Sequence, residues 1–166
     1  MTNKHAVKEL DKFLIVNKID PTDEYHLGEP ILCQPDLNEP SIKKDIGRCK
    51  NIDIKDIEDD PDKYSLLLMK FGGPNLKVLC KKYMVDYLKV NKQERLDKFW
   101  IEIHHLLKGV KFFKENGLIH NDIKPQNILF NPNDGTMKFI DFGLMRTKKE
   151  ILTLSESSKN DLAVYH

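Results

Sequence analysis

Apolar residues recur at three- and four-residue steps from Gln93 to Asn116, at Leu96, Phe99, Trp100, Ile103, Leu107, Val110 and Phe113. That period predicts one long amphipathic helix whose stripe faces a core. Gly117 supplies its stop. The same reasoning predicts a helix over Lys4 to Lys18, with Val7, Leu10, Phe13, Leu14 and Ile15 as apolar positions, ending before Asp20-Pro21. Tyr25 to Cys33 reads as a short strand interrupted by Gly28 and Pro30. Gln34 to Lys63 is polar, punctuated by proline and acidic at Glu58-Asp59-Asp60, and is expected to be a partly disordered connection. Tyr64 to Met69 is a compact apolar run typical of a buried strand, broken by Gly72-Gly73-Pro74. A further helix starts at Pro74 or Asn75 and carries Leu76, Leu79, Tyr83 and Tyr87. Ile128-Leu129-Phe130 and Met137-Lys138-Phe139-Ile140 read as two short strands, joined by the turn cluster Asn131-Pro132-Asn133-Asp134-Gly135.

Composition narrows the function classes. A chain of 166 residues with 27 basic and 26 acidic side chains carries a formal charge of +1, so no global field points to nucleic acid or an anionic membrane as partner. No apolar run approaches the length of a membrane span, and Met1 to Leu10 is polar, so the chain is expected to be soluble, unexported and cytoplasmic. Cys33, Cys49 and Cys80 are odd in number and widely spaced, which suits a reducing compartment better than a disulfide framework. His104 and His105 are adjacent on a helix and point in different directions, so they are assigned no ligand role.

The chemistry is concentrated in His120-Asn121-Asp122-Ile123-Lys124-Pro125-Gln126-Asn127 and, past the hairpin, Asp141-Phe142-Gly143. This pattern is similar to the catalytic and magnesium loops of a kinase family, and the resemblance implies transfer of a γ-phosphoryl group. Such transfer passes through a loose transition state, so a protein mainly positions reactants and neutralises charge. Few side chains suffice, at demanding spacings. Asp122 is a candidate to accept the proton of an attacking hydroxyl, and Lys124 to contact phosphate oxygens from the same short loop. Asn127 offers an amide oxygen and Asp141 a charged oxygen, and a hairpin between them would bring both to one Mg²⁺.

These residues resemble the catalytic loop and magnesium loop of eukaryotic-type protein kinases. The resemblance implies an α+β fold: a partial protein-kinase-like fold, mainly a helical large-lobe segment with a remnant of the small lobe. Residues 1–70 would be the small-lobe remnant, and residues 71–166 the hinge and partial large lobe with the catalytic loop and the start of the activation segment. It implies ATP and Mg²⁺ as cofactors. The roles that follow are Asp122 as catalytic base, Lys124 as γ-phosphate contact, Asn127 and Asp141 as metal ligands, and Met69, Lys70 and Phe71 as the hinge that borders and hydrogen-bonds the adenine. Lys124-Pro125 favours a protein substrate with serine or threonine over a small-molecule acceptor. The layout of helix, insert and hinge also resembles divergent kinases of large DNA viruses, for which the compartment would be the host cytoplasm.

Departures from the family pattern keep alternatives open. Asn121 stands where the family commonly has an arginine that couples to a phosphorylated activation segment, so phosphorylation at Thr147, Thr153 or Ser155 is expected not to act through it. Ser155, Ser157 and Ser158 fall in that segment. No Gly-x-Gly-x-x-Gly sequence occurs. The strand lysine that grips phosphate is either Lys8 or outside the chain, with Glu9 its acid partner in the second case. No Ala-Pro-Glu-like motif precedes His166, so the resemblance is expected to cover about the middle half of a kinase domain. Part of the stripe around Trp100 is then expected to lie uncovered. A noncatalytic, scaffold-like member of the family stands as the alternative to a working serine/threonine kinase, with a small-molecule phosphotransferase behind both.

Overall fold

A computed structural model describes residues 1–48 and 53–153. Cys49, Ser155, Ser157 and Ser158 lie outside the described residues. The chain divides into two compact units, one of residues 1–18 and 28–70, the other of residues 19–27 and 71–166.

The first unit opens with helix α1, Asn3–Ile19. Its start is fixed by Thr2, whose carbonyl accepts the amides of His5 and Ala6. The buried line of α1 is Ala6, Phe13 and Val16, whereas Val7, Leu14 and Ile15 of the expected stripe are exposed. Alanine and valine, small enough for close approach, take the inner face. Strands β1, Ile31–Cys33, and β2, Leu66–Leu68, pair antiparallel with Ile31 opposite Leu68. Met1 and Ser65 exchange both backbone hydrogen bonds, which ties the chain start to the segment entering β2.

The insert corrects its expectation. Within 34–63 lie helices α2, Pro40–Ile46, and α3, Ile54–Asp59. Asp53 caps α3 by accepting the Lys55 amide. Ile46, Ile57 and Tyr64 form a small apolar cluster, with Leu37, Ile42 and Ile54 packed on it. Isolated isoleucines in a polar background hide this cluster from a periodicity reading.

The second unit is built on helix α6, Lys92–Glu115. Before it come α4, Leu76–Val78, a π-type segment at Leu79–Tyr83, and α5, Met84–Tyr87. Asn75 caps α4 through the Val78 amide at 3.0 Å. Gly73 has φ +91°, and a Cβ there would sit 2.1 Å from the Phe130 carbonyl, so the Gly72-Gly73-Pro74 break admits only glycine at its centre.

The stripe of α6 is also corrected. Its buried line is Glu102, Leu106, Gly109 and Phe113. Phe113 lies there as expected and Trp100, 61% exposed, lies in the part expected to be uncovered, whereas Leu107, also 61% exposed, and the exposed Val110 depart from the expected stripe. The cause is what the helix packs against. Tyr25 and Phe139 press onto Gly109 so closely that a Cβ would lie 2.7 Å from one ring and 3.1 Å from the other. A glycine and a glutamate therefore mark the inner face, and a hydrophobic count passes over both. Tyr25 stacks on His105 at 4.8 Å and packs on Phe112 at 5.2 Å. Of the expected Tyr25–Cys33 strand only Ile31–Cys33 is strand, and residues 19–27 fall in the second unit.

Among the described residues the strands form three two-stranded antiparallel sheets, β1–β2 in the first unit and two in the second. In the second unit β3, Leu118–Ile119, pairs with β6, Arg146–Thr147, and β4, Ile128–Phe130, pairs with β5, Met137–Phe139. Each β5 amide that points away from β4 is satisfied: Met137 N–H donates to the Glu102 carboxylate at 3.0 Å and Phe139 N–H to the Tyr25 carbonyl at 2.8 Å. An edge strand with buried side chains needs such partners. The hairpin turn carries Gly135 at φ +74°, with Asp134 accepting from Thr136 and Asn131 from Asn133. Among the described residues, no helix is long and apolar enough to cross a membrane.

Candidate active site

Two loops hang between the same two ladders. His120 to Asn127 connects β3 to β4, and Ile140 to Met145 connects β5 to β6. Because both ends of each loop are strapped in antiparallel pairs, the loops must run side by side. Ile128 faces Phe139, and the Ile140 amide donates to the Asn127 carbonyl at 3.0 Å, so Asn127 lies across from the residue just before Asp141.

His120 makes the second tie. Its Nε2–H donates to the Ile140 carbonyl at 3.1 Å, and its ring lies 4.8 Å from that of Phe142. Burial pushes the His120 pKa down, which favours the neutral ring, and the bond to the Ile140 carbonyl places that ring's proton on Nε2. Nδ1 is buried with no hydrogen-bond partner. This is a structural histidine.

Around Asp122 the loop side chains converge. Its Oδ2 accepts from Lys124 Nζ at 2.6 Å and from Asn127 Nδ2 at 2.8 Å. Asn127 Nδ2 also donates to the Asp122 carbonyl at 3.0 Å. The Lys124 ammonium is the largest of the effects that hold the Asp122 carboxyl below 3.8; desolvation opposes it and Asn127 adds to it. Asp122 is therefore ionised at neutral pH. Asn127 is buried, and with its amide nitrogen turned to Asp122 the amide oxygen is left as the outward donor atom.

Asp141 is exposed and adopts φ 62°, as does Asn121 at φ 62°. Both residue types tolerate the left-handed region that most side chains avoid. The unusual Asn121 is thus explained by backbone geometry. Phe142 is 1% exposed, seated on Phe113, His26 and His120.

Among the described residues, no group of three or more His, Cys, Asp or Glu could hold a metal. The candidate donors are the Asn127 amide oxygen and the Asp141 carboxylate. This pair suits Mg²⁺, which keeps several waters and takes one or two protein ligands beside substrate phosphates. Of the expected adenine contacts, Met69 and Lys70 close the first unit and Phe71 opens the second. The Phe71 side chain is 91% exposed and lines an apolar cleft of about 630 Å³ with Pro74, Val78, Leu79 and Tyr87. Sequence reasoning missed Asp20, His26 and Glu102, buried polar residues without a motif.

A strapped pair of loops, one with Asp, Lys and Asn in mutual contact and the other with an exposed Asp before a buried Phe, defines the catalytic-lobe framework of the kinase class. The chain belongs to the protein kinase domain family, whose model matches residues 4–158. It is 29% identical over 128 residues to the MAP kinase kinase kinase win1 of Schizosaccharomyces pombe, covering 75% of this chain and 9% of that protein. It is 29% identical over 113 residues to the ovarian-specific serine/threonine-protein kinase Lok of Drosophila melanogaster, covering 66% of this chain and 22% of that protein. The chain thus spans only a small part of the length of either relative.

Proposed function

We propose that this chain carries the phosphoryl-transfer site of a serine/threonine protein kinase, moving the γ-phosphate of ATP to a hydroxyl on a protein. Asp122 orients the hydroxyl and takes its proton as the new O–P bond forms and the bond to the β-phosphate oxygen breaks, releasing ADP. Lys124 donates to γ-phosphate oxygens, exchanging its bond to Asp122 for one to the incoming phosphate. Asn127 and Asp141 would hold Mg²⁺, which when bound supplies positive charge to the phosphate oxygens. Backbone groups of Lys70 and Phe71 would hydrogen-bond the adenine, with Met69 at its border.

One observation carries the reading. A single carboxylate oxygen of Asp122 is shared by Lys124 and Asn127, in a loop bonded through Asn127 and His120 to the residue preceding Asp141. Such mutual orientation of base, cation and amide is the preorganisation that phosphoryl transfer requires. The name of one relative, the serine/threonine-protein kinase Lok, supports a serine or threonine acceptor.

The test is transfer of labelled γ-phosphate to a generic serine- and threonine-bearing protein, comparing wild type with Asp122→Asn. Transfer by wild type that falls by about 10²- to 10⁴-fold in the variant, the usual worth of a general base, supports the reading. Nucleotide binding with no transfer by wild type would sink it and select a noncatalytic member of the family.

A further inference from the structure

Asp20 and His26 lie far from every motif, yet they are among the most buried polar residues of the second unit, at 3% and 0% exposure. The Asp20 carboxylate accepts from the amides of Glu24 at 2.9 Å and Tyr25 at 2.8 Å, and from His26 Nδ1 at 2.9 Å. Nδ1 must therefore carry a proton, and the ring plane is fixed. His26 is held on the other side by its backbone, which bridges to Phe139 in β5. Its Nε2 is buried without a hydrogen-bond partner, 3.6 Å from an Asp23 oxygen.

A core that needed only volume here would place a leucine or phenylalanine. A histidine with a dedicated carboxylate costs desolvation and sacrifices one ring nitrogen, so the arrangement selects an orientation. The ring it orients meets Phe142 edge-on, at 6.4 Å and 80° between planes. Phe113 meets Phe142 in the same manner at 5.9 Å and 80°, and His120 completes the socket. Phe142 immediately follows Asp141, whose φ of 62° lies in a sparsely populated region that the surrounding packing helps to hold.

We propose that Asp20 and His26 form a positioning pair for phosphoryl transfer: the carboxylate sets the imidazole, the imidazole seats Phe142, and Phe142 keeps Asp141 in the left-handed turn that presents its carboxylate. The proposal rests on the reading of Asp141 as a metal ligand. Neither residue touches substrate or metal. Their effect reaches the site as support of a ligand's orientation, a role whose loss costs about 10- to 100-fold in metal affinity or activity.

The test compares wild type with Asp20→Asn, His26→Ala and His26→Gln, the last able to keep a bond to Asp20 while lacking the ring. Three readouts are taken: amide exchange over residues 140–145 against α6, the Mg²⁺ concentration for half-maximal nucleotide binding, and kcat and KM for protein substrate. Both His26 variants are expected to exchange faster at 140–145 with α6 unchanged, to need about 10-fold more Mg²⁺, and to lose kcat at constant KM. Asp20→Asn is expected to move all three in the same direction by less. Should His26→Ala fail to fold, the other two variants carry the test. Folded variants with wild-type exchange and Mg²⁺ dependence would overturn the pair's role and leave transfer by wild type untouched. Faster exchange in a protein whose nucleotide binding never responds to Mg²⁺ would overturn the cation reading instead.

Discussion

Glu102 offers a sharp stability test because one buried carboxylate satisfies the outer edge of the hairpin that leads to Asp141. Its Oε2 accepts from the Met137 amide at 3.0 Å, and its Oε1 accepts from the half-exposed Lys98 ammonium, also at 3.0 Å. Met137 is fully buried, so water cannot replace the lost acceptor. Glu102→Ala leaves that amide unpaired, at about 1–3 kcal/mol, and removes an ion pair worth at most about 1 kcal/mol. The sum is about 1–4 kcal/mol, a fall in Tm of roughly 2–16 °C for a chain of this size. Glu102→Gln keeps an oxygen for Met137 and loses only charge assistance, so it should cost about 1 kcal/mol or less. Urea unfolding followed by circular dichroism gives the stabilities, and amide exchange at Met137 localises the effect. Equal losses in the two variants, or an alanine variant within about 0.5 kcal/mol of wild type, would refute the claim that this hydrogen bond secures the hairpin.

Gly109→Ala sets helix propensity against packing. The gain of about 1 kcal/mol from replacing a helical glycine is opposed by about 1–3 kcal/mol of overpacking, because the Cβ would meet Tyr25 at 2.7 Å in a ring already pinned by His105 and Phe112. A net loss is expected in the urea midpoint, and a gain would show that Tyr25 is free to move. Acid behaviour reports on Asp20. Burial raises its pKa, but the Tyr25 amide, His26 and the Glu24 amide together outweigh burial and hold it below 3.8. A depressed carboxyl contributes stability that is fully present above the unfolded value and lost as pH falls through the folded one. The stability gap between wild type and Asp20→Asn should therefore be widest at neutral pH and narrow below about pH 4, as measured by urea midpoints across that range.

The site was legible because kinase chemistry writes itself in contiguous residues. Asp122, Lys124 and Asn127 share one loop, and the turn cluster at Asn131 to Gly135 announced the hairpin that carries Asp141. The faces of the helices were less legible. A stripe counted from apolar residues placed Leu107 and Val110 inward, whereas the partners of α6 are two aromatic rings that demand a glycine and a strand edge that demands a carboxylate. Neither residue type counts toward an apolar stripe, and glutamate alone reads as solvent-facing. Residues 19–27 were opaque for a related reason: Asp20 braces Tyr25 and His26 locally, but the rings those two meet lie 80 or more positions away, and nothing local distinguishes the segment from a polar turn. The insert hid a small core because its isoleucines lack any single period.

The central claim is that the oxygens of Asn127 and Asp141 share a divalent cation beside a nucleotide. Calorimetric titration of ATP into the wild-type chain and into Asp141→Asn, each with and without Mg²⁺, tests it most directly. Wild type should bind at least about 10-fold more tightly with Mg²⁺, and Asp141→Asn should lose that difference while keeping its metal-free affinity. ATP affinity indifferent to Mg²⁺ in wild type, or an Mg²⁺ response undiminished in Asp141→Asn, would contradict the account.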